Sequence, residues 1–212
     1  GYEITLNLGC ADLITEGEIS LIAKYFHNIP LKCLYLADTY GACNEKNIPI
    51  ILTNFYLEFN KYNSDIKFGF HIHNNLDDSL SKAKTSIFHG CTMIDTCIGG
   101  IGRGSGNLKT EVFLCDLYKN NLFENRSKLY LIFDYYNKFI TNKKEFGKNA
   151  FNNYHPYYAL SGILSLHPNY ILKLLSNIES DTFDDIETIF KLDKYTKSNN
   201  KRNFNISYLE NI

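Results

Sequence analysis

Tyr2, Ile4 and Leu6 alternate with polar positions in the stretch YEITLNLGC, and this period of two predicts a β-strand. The period then changes. In TEGEISLIAKYFHN, Ile19, Ile22, Ala23 and Phe26 recur at helical spacing. Thr15 and Glu18 make a capping box at the start of that helix, hydroxyl and carboxylate each taking a backbone N–H that the first turn leaves unpaired. KCLYLADTYG is apolar almost throughout, as in a strand buried on both faces. Asn47 and Pro49 open a second helix, where proline is tolerated because its missing N–H would be unpaired anyway. Ile50, Ile51, Phe55, Leu57 and Phe59 give that helix its apolar surface. KFGFHIH predicts a third strand. Asp77 and Asp78 open the next helix, at the positive end of its dipole. Leu80, Ala83, Ile87 and Phe88 form its stripe, and Gly90 ends it. CTMIDTCIGG predicts a fourth strand. A glycine-rich loop follows, then a helix from about Asn107 with Val112, Leu114, Cys115 and Tyr118 as apolar positions.

Strand and helix therefore alternate four times, the cadence of βαβ units, and the predicted class is α/β with a parallel sheet. Polar residues gather at the predicted C-terminal ends of the strands: Asp38, His71, His73, Asn74, Asp95 and the glycine loop. In α/β barrels and open α/β sheets alike, that edge is where ligands bind. Past about Leu122 the pattern turns helical. KLYLIFDYYNKFI, HPNYILKLLSNI and DTFDDIETIFKLDKY each read as a helix, and no clear strand remains. The expected division is an α/β unit over 1–121 and a helical appendage over 122–212, suited to subunit contact. The polar last dozen residues are expected to fray.

Composition narrows the classes. Of 212 residues, 44% are apolar and 21% charged, a globular balance. The net charge of -1 gives no reason to expect nucleic acid or an anionic membrane as partner. TNKKEFGK and SNNKR are short basic runs that read as solvated surface. No run is long and apolar enough for a membrane span, and no signal peptide is expected. Six cysteines with no CxxC pair suggest a reduced, cytoplasmic protein.

Three stretches carry candidate chemistry. In KFGFHIHNN, His71 and His73 lie two apart in a strand, so they share a face with Cα atoms about 6.5 to 7 Å apart. They are either two arms of a metal site or one core histidine beside a solvated one. In GGIGRGSGN, Gly99 to Asn107, the spacing matches neither G-x-G-x-x-G nor a P-loop. It is either a flexible connection or a loop whose backbone approaches a ligand closely, with Asn107 capping the next helix and offering its amide oxygen. In LADTYG, a buried strand ends at Asp38, which is either a turn former or a site residue.

LADTYG, GFHIHNN, IDTCIGGIGRGSGN and TEV, in this order and spacing, resemble the HMG-CoA lyase-like superfamily of metal-dependent aldolases and acyl transferases. The resemblance covers about residues 1 to 120. It implies a TIM (β/α)8-type barrel, with His71 and His73 on the sixth strand as ligands of Mn²⁺ or Mg²⁺. Asn107 then joins or supports the metal shell, and Asp38 stands near the substrate. Asn74 fits the family's H-x-H-[ND] pattern, whereas Arg103 matches no shared role. The family's strand-one aspartate and keto-polarising arginine have no counterpart, no catalytic base is identifiable, and strand eight is not obvious. The expectation is an incomplete barrel, about strands 4 to 8, from the C-terminal part of a longer enzyme. The implied activity is a 4-hydroxy-2-oxovalerate aldolase-like reaction through a pyruvate enolate, with a 2-oxo acid and an aldehyde as substrates. The alternatives are a Claisen-type acyltransferase of the isopropylmalate synthase kind and a non-catalytic half-barrel. The implied assembly is a homo-oligomer or a complex with a partner supplying the N-terminal barrel half.

Overall fold

Strands β1 (Ile4–Leu8), β2 (Leu31–Asp38), β3 (Lys67–Ile72) and β4 (Met93–Asp95) pair in parallel, in chain order. The computed structural model describes residues 2–62, 65–141, 156–176, 182–198 and 203–210. The run TNKKEFGK lies outside the described residues except for Thr141, and SNNKR except for Ser198. Helices α1 (Glu16–Phe26), α2 (Asn47–Phe59) and α3 (Ser79–Phe88) connect the strands. Each begins near its sequence signal. Thr15 and Glu18 close the capping box at α1, Glu18 accepting from the Thr15 backbone N–H at 2.8 Å. Asn47 and Pro49 lie in the first turn of α2.

The three helices pack on one face of the sheet. Leu34, Leu36, Phe68, Phe70 and Ile72 of β2 and β3 are buried there with Ile19, Leu52, Phe55 and Ala83. Each of the leucines, isoleucines and phenylalanines contributes about 1.5–3 kcal/mol by leaving water. The alternate positions face the other way. Across that second face the register sets Tyr35 beside Gly69, and Ala37, His71 and Asp95 in one row over three strands.

The glycine loop delivers the chain to α4 (Thr110–Lys119), and α5 (Arg126–Thr141) packs on α4 and on the 3-10 turn Ile98–Gly100. Helix α4 starts three residues later than the sequence pattern suggests, because Asn107 and Leu108 are drawn into backbone pairing with the end of β3. A second apolar cluster gathers α6 (Pro156–Leu164), α7 (Pro168–Leu175), α8 (Thr182–Ser198) and α9 (Ser207–Glu210) around Tyr158, Tyr170, Ile171, Ile189 and Leu192. Tyr208 of α9 is buried in it, so residues 207–210 are helical and packed, contrary to the fraying expected from their polarity. No strand occurs past β4 among the described residues, and none of the described helices is long and apolar enough to cross a membrane. All six cysteines are free, and burial pushes the Cys91 thiol up to about 12.

Candidate metal centre at the sheet's C-terminal edge

His71 and His73 point to the same side of β3, their rings 5.1 Å apart and nearly perpendicular. Each is fixed through Nδ1. His73 Nδ1 donates to the Asp38 carbonyl at 2.8 Å, and His71 Nδ1 donates to Asp95 Oδ2 at 3.1 Å. A carbonyl and a carboxylate can only accept, so both protons sit on Nδ1 and both Nε2 lone pairs are left for another partner. This is the second-sphere arrangement that orients metal-binding histidines. Burial holds the His73 pKa below its ordinary value despite the Asp38 carbonyl, with the His71 charge adding to the depression. A neutral imidazole is the form that ligates. The Tyr35 hydroxyl hydrogen-bonds Asp95, and burial first, then the Asp95 charge, raises its pKa.

Asn107 joins them through the backbone. It bridges His73, while Leu108 N donates to Ile72 O at 3.2 Å and Asn74 N to Gly106 O at 2.9 Å. Gly106 makes this return possible: its φ is +84°, and a Cβ there would lie 2.2 Å from the Gly100 carbonyl. Asn107 does not cap α4, whose N-cap is Lys109. Its amide instead donates to Ile101 O at 3.0 Å, leaving Oδ1 buried with no hydrogen-bond partner. Such an orphan acceptor costs about 1–3 kcal/mol. Two available imidazole nitrogens and one orphaned amide oxygen, from His71, His73 and the residue bridged to His73, suit a borderline-to-hard divalent cation.

Asp38, expected near the substrate, is wholly buried. Its Oδ2 accepts from Lys82 Nζ at 3.0 Å and its Oδ1 from Cys43 N at 2.9 Å. What it presents to the site is its carbonyl. Lys82 is equally buried; its Nζ donates to Asp38 Oδ2 and to Gly41 O, each at 3.0 Å, and forms an ion pair with Asp78 Oδ1 at 2.9 Å. Burial opposes the ammonium, but Asp38 and Asp78 together hold its pKa above the usual value. Asp12, Asp38 and Cys43 are the only three metal-ligating side chains of the His, Cys, Asp and Glu types found clustered among the described residues. That cluster suits a cation poorly. Lys82 already supplies the positive charge, and burial raises the Cys43 thiol well above its normal value.

Asp95 stood among the polar strand-end residues, but nothing local to it marks it as the anchor of His71, and nothing local marks Asn75 as a tie between segments. Asn75 is buried and ties three segments together. Its amide donates to Tyr158 O at 3.2 Å and approaches Ser161 Oγ at 3.5 Å, and its Oδ1 accepts from Ser105 Oγ at 2.8 Å. The α6–α7 segment therefore sits against the same edge, where His167 packs edge-on to Tyr40 at 5.9 Å. Only the H-N-N run after the histidines hinted at this; Ser105 lies 30 residues on, and Tyr158 and Ser161 lie 83 and 86 residues on.

Two expected results follow from these contacts. Asp95→Asn lowers Mn²⁺ affinity about 10–100-fold, read by calorimetric titration, because the His71 ring loses its charged anchor. His167 has its pKa lowered to about 4, by burial first and the Arg103 charge second. Below pH 6.5 the unfolded chain binds a proton there that the folded chain refuses, so stability falls as pH drops from about 6.5 to about 4. Urea unfolding at pH 7.5 and pH 5 shows this loss, and His167→Asn shrinks it. The smaller dependence left in the variant comes from His73.

The HMGL-like family model matches residues 2–137. The 4-hydroxy-2-oxovalerate aldolase of Pseudoalteromonas translucida is 31% identical over 103 residues, 49% of this chain and 29% of that protein. Among solved structures, the N-terminal domain of a Bacteroides vulgatus protein assigned as an aldolase superposes with a TM-score of 0.70 at 24% identity, over 87% of this chain and 57% of that one. HMG-CoA lyase of Bacillus subtilis superposes with a TM-score of 0.57 at 22% identity, over 70% of this chain and 51% of that one. The structural likenesses speak for the fold alone, and the chain spans less than two thirds of each of these three proteins. With a family match that takes in well over half of its residues, the chain belongs to the HMGL-like family.

Proposed function

We propose that this chain carries the metal-binding edge of a divalent-cation-dependent aldolase that breaks or forms a C–C bond next to a 2-oxo acid. The carrying observation is the pair of imidazoles on one face, each held by Nδ1 with Nε2 available, with the partnerless Oδ1 carried by Asn107, the residue that pairs with His73 through the backbone. His71, His73 and Asn107 would hold Mn²⁺ or Mg²⁺, which supplies Lewis acidity toward a 2-oxo group. The chain's own residues do the positioning. Asp95 and the Asp38 carbonyl fix the two tautomers, and the Asp38–Lys82 pair fixes the end of β2 from which that carbonyl points. Asp38 is thus a positioning residue, acting on the substrate through His73. We further place the sheet in a TIM-type barrel. Its sequential parallel order, with helices on one face and polar groups at the C-terminal edge, supports that architecture. The relatives' names support the lyase reading and a soluble small-molecule substrate.

A coupled assay tests the reaction. The purified protein with Mn²⁺ is expected to release pyruvate from a 4-hydroxy-2-oxo acid, followed through lactate dehydrogenase. Release of CoA thiol from acetyl-CoA and a 2-oxo acid, with no pyruvate formed from the hydroxy acid, would favour the Claisen-type acyltransferase. Neither product would support a non-catalytic role.

A further inference from the structure

Two residues past His73, Asn75 is enclosed by segments far apart in the sequence. Gly41, between β2 and α2, and Gly162, in α6, both lie against it. A Cβ at Gly41 would be 2.5 Å from the Asn75 Cβ, and one at Gly162 would be 3.2 Å from it. Gly41 also has φ +67°. Gly162 sits inside α6 with no positive φ, where glycine is a poor helix former. What it permits is close approach: its missing Cβ would also lie 3.4 Å from the Gly41 carbonyl. The third neighbour is the glycine loop. Ser105 Oγ donates to Asn75 Oδ1 at 2.8 Å.

Burial makes these bonds matter. Asn75 is 2% exposed and Ser161 is fully buried. Ser161 Oγ donates to Tyr158 O at 2.9 Å, which leaves an oxygen lone pair toward the Asn75 amide. The amide therefore gives its donors to α6 and its acceptor to the loop. The group is planar, so a shift of α6 that carries Nδ2 with it also turns Oδ1 away from Ser105. Ser105 stands two residues before Asn107, and Gly106 between them accepts from Asn74 N. Asn75 thus joins α6 to both segments that carry the candidate ligands, without using a ligand side chain.

We infer that α6 is an arm of the metal centre, and that Asn75 is the positioning residue through which its docking places Asn107 and sets the affinity for Mn²⁺. The inference rests on the metal-site reading above and adds to it a segment from outside the α/β unit. Such coupling runs both ways: if docked α6 raises metal affinity, bound metal holds α6 more firmly. A packing role alone would cost stability when α6 is disturbed and leave the affinity of the folded protein unchanged.

The test combines Mn²⁺ titration calorimetry with hydrogen exchange on the full chain. Ser105→Ala cuts the link on the loop side, and Gly162→Leu forces α6 off Asn75. Each is expected to weaken Mn²⁺ binding about fivefold or more. The two together weaken it no more than the larger single effect, because they break one link. In the unaltered protein Mn²⁺ slows amide exchange in α6 more than in α1, taken as the reference helix, and in Ser105→Ala that difference is lost. Full Mn²⁺ affinity in Ser105→Ala, losses that sum in the double variant, or α6 exchange that follows α1 with and without Mn²⁺ overturns the arm and leaves the His71–His73 centre standing. No Mn²⁺ binding by the unaltered protein overturns both. Should Gly162→Leu not fold, Ser105→Ala and the exchange experiment decide.

Discussion

Lys82→Ala is expected to destabilise the fold by about 3–5 kcal/mol, because it leaves the Asp38 carboxylate charged and buried with no cation. Lys82 is closed off from water and bonded at once to Asp38, Asp78 and the Gly41 carbonyl. Its removal strips three groups of their partner. The measurement is equilibrium urea unfolding. Lys82→Met combined with Asp38→Asn is expected to be far milder than the sum of the two single changes, since no unpaired charge remains. Additive losses would show that the pair is not coupled. The pH dependence has a definite sign. The Lys82 pKa is raised in the fold, so its contribution is complete below the unfolded value of about 10.5 and is lost as pH rises through the folded value. The effect also reaches the site. With the end of β2 loosened, the Asp38 carbonyl no longer holds His73 Nδ1, so Mn²⁺ affinity falls with stability.

The second large effect concerns the histidines. His71→Ala together with His73→Ala is expected to weaken Mn²⁺ binding by roughly a hundredfold or more, beyond what loss of an outer partner costs. Elemental analysis after dialysis reads this as loss of bound metal. Both rings are only half-buried, so stability changes little, about 1 kcal/mol. Metal content unchanged from the unaltered protein would remove these residues from the site. The single variants separate the roles: His73→Ala leaves the Asp38 carbonyl with the Gly41 N–H as its partner, whereas His71→Ala leaves Asp95 free to meet water and Tyr35.

Much of the sheet was legible because its signals are local. The capping box at Thr15 and Glu18, the apolar run of β2 and the stripe of α3 each sit within a few residues of the element they specify. The histidine pair was legible because a strand's period of two puts His71 and His73 on one face wherever the strand goes. What the sequence concealed depends on distant pairing. Asp38 looked like a site carboxylate at the end of a buried strand. Its side chain is claimed by Lys82, 44 residues on, and only its carbonyl is left for chemistry. Asn107 looked like a helix cap, yet pairing with β3 moved the helix start to Thr110 and freed its oxygen. Asn75 gained its meaning from α6, which no local periodicity could connect to the strand edge. Helix α6 itself escaped notice, since PYYALSGIL carries no cap signal beyond its proline and a glycine near its end.

Pulsed electron paramagnetic resonance on the Mn²⁺-loaded protein tests the central claim most directly. Nitrogen nuclei bonded to the ion modulate the echo. The account predicts ¹⁴N couplings from two imidazoles, halved in His71→Ala or His73→Ala and absent when both are replaced. An echo free of nitrogen modulation in the unaltered protein, or couplings that survive both replacements, would contradict it.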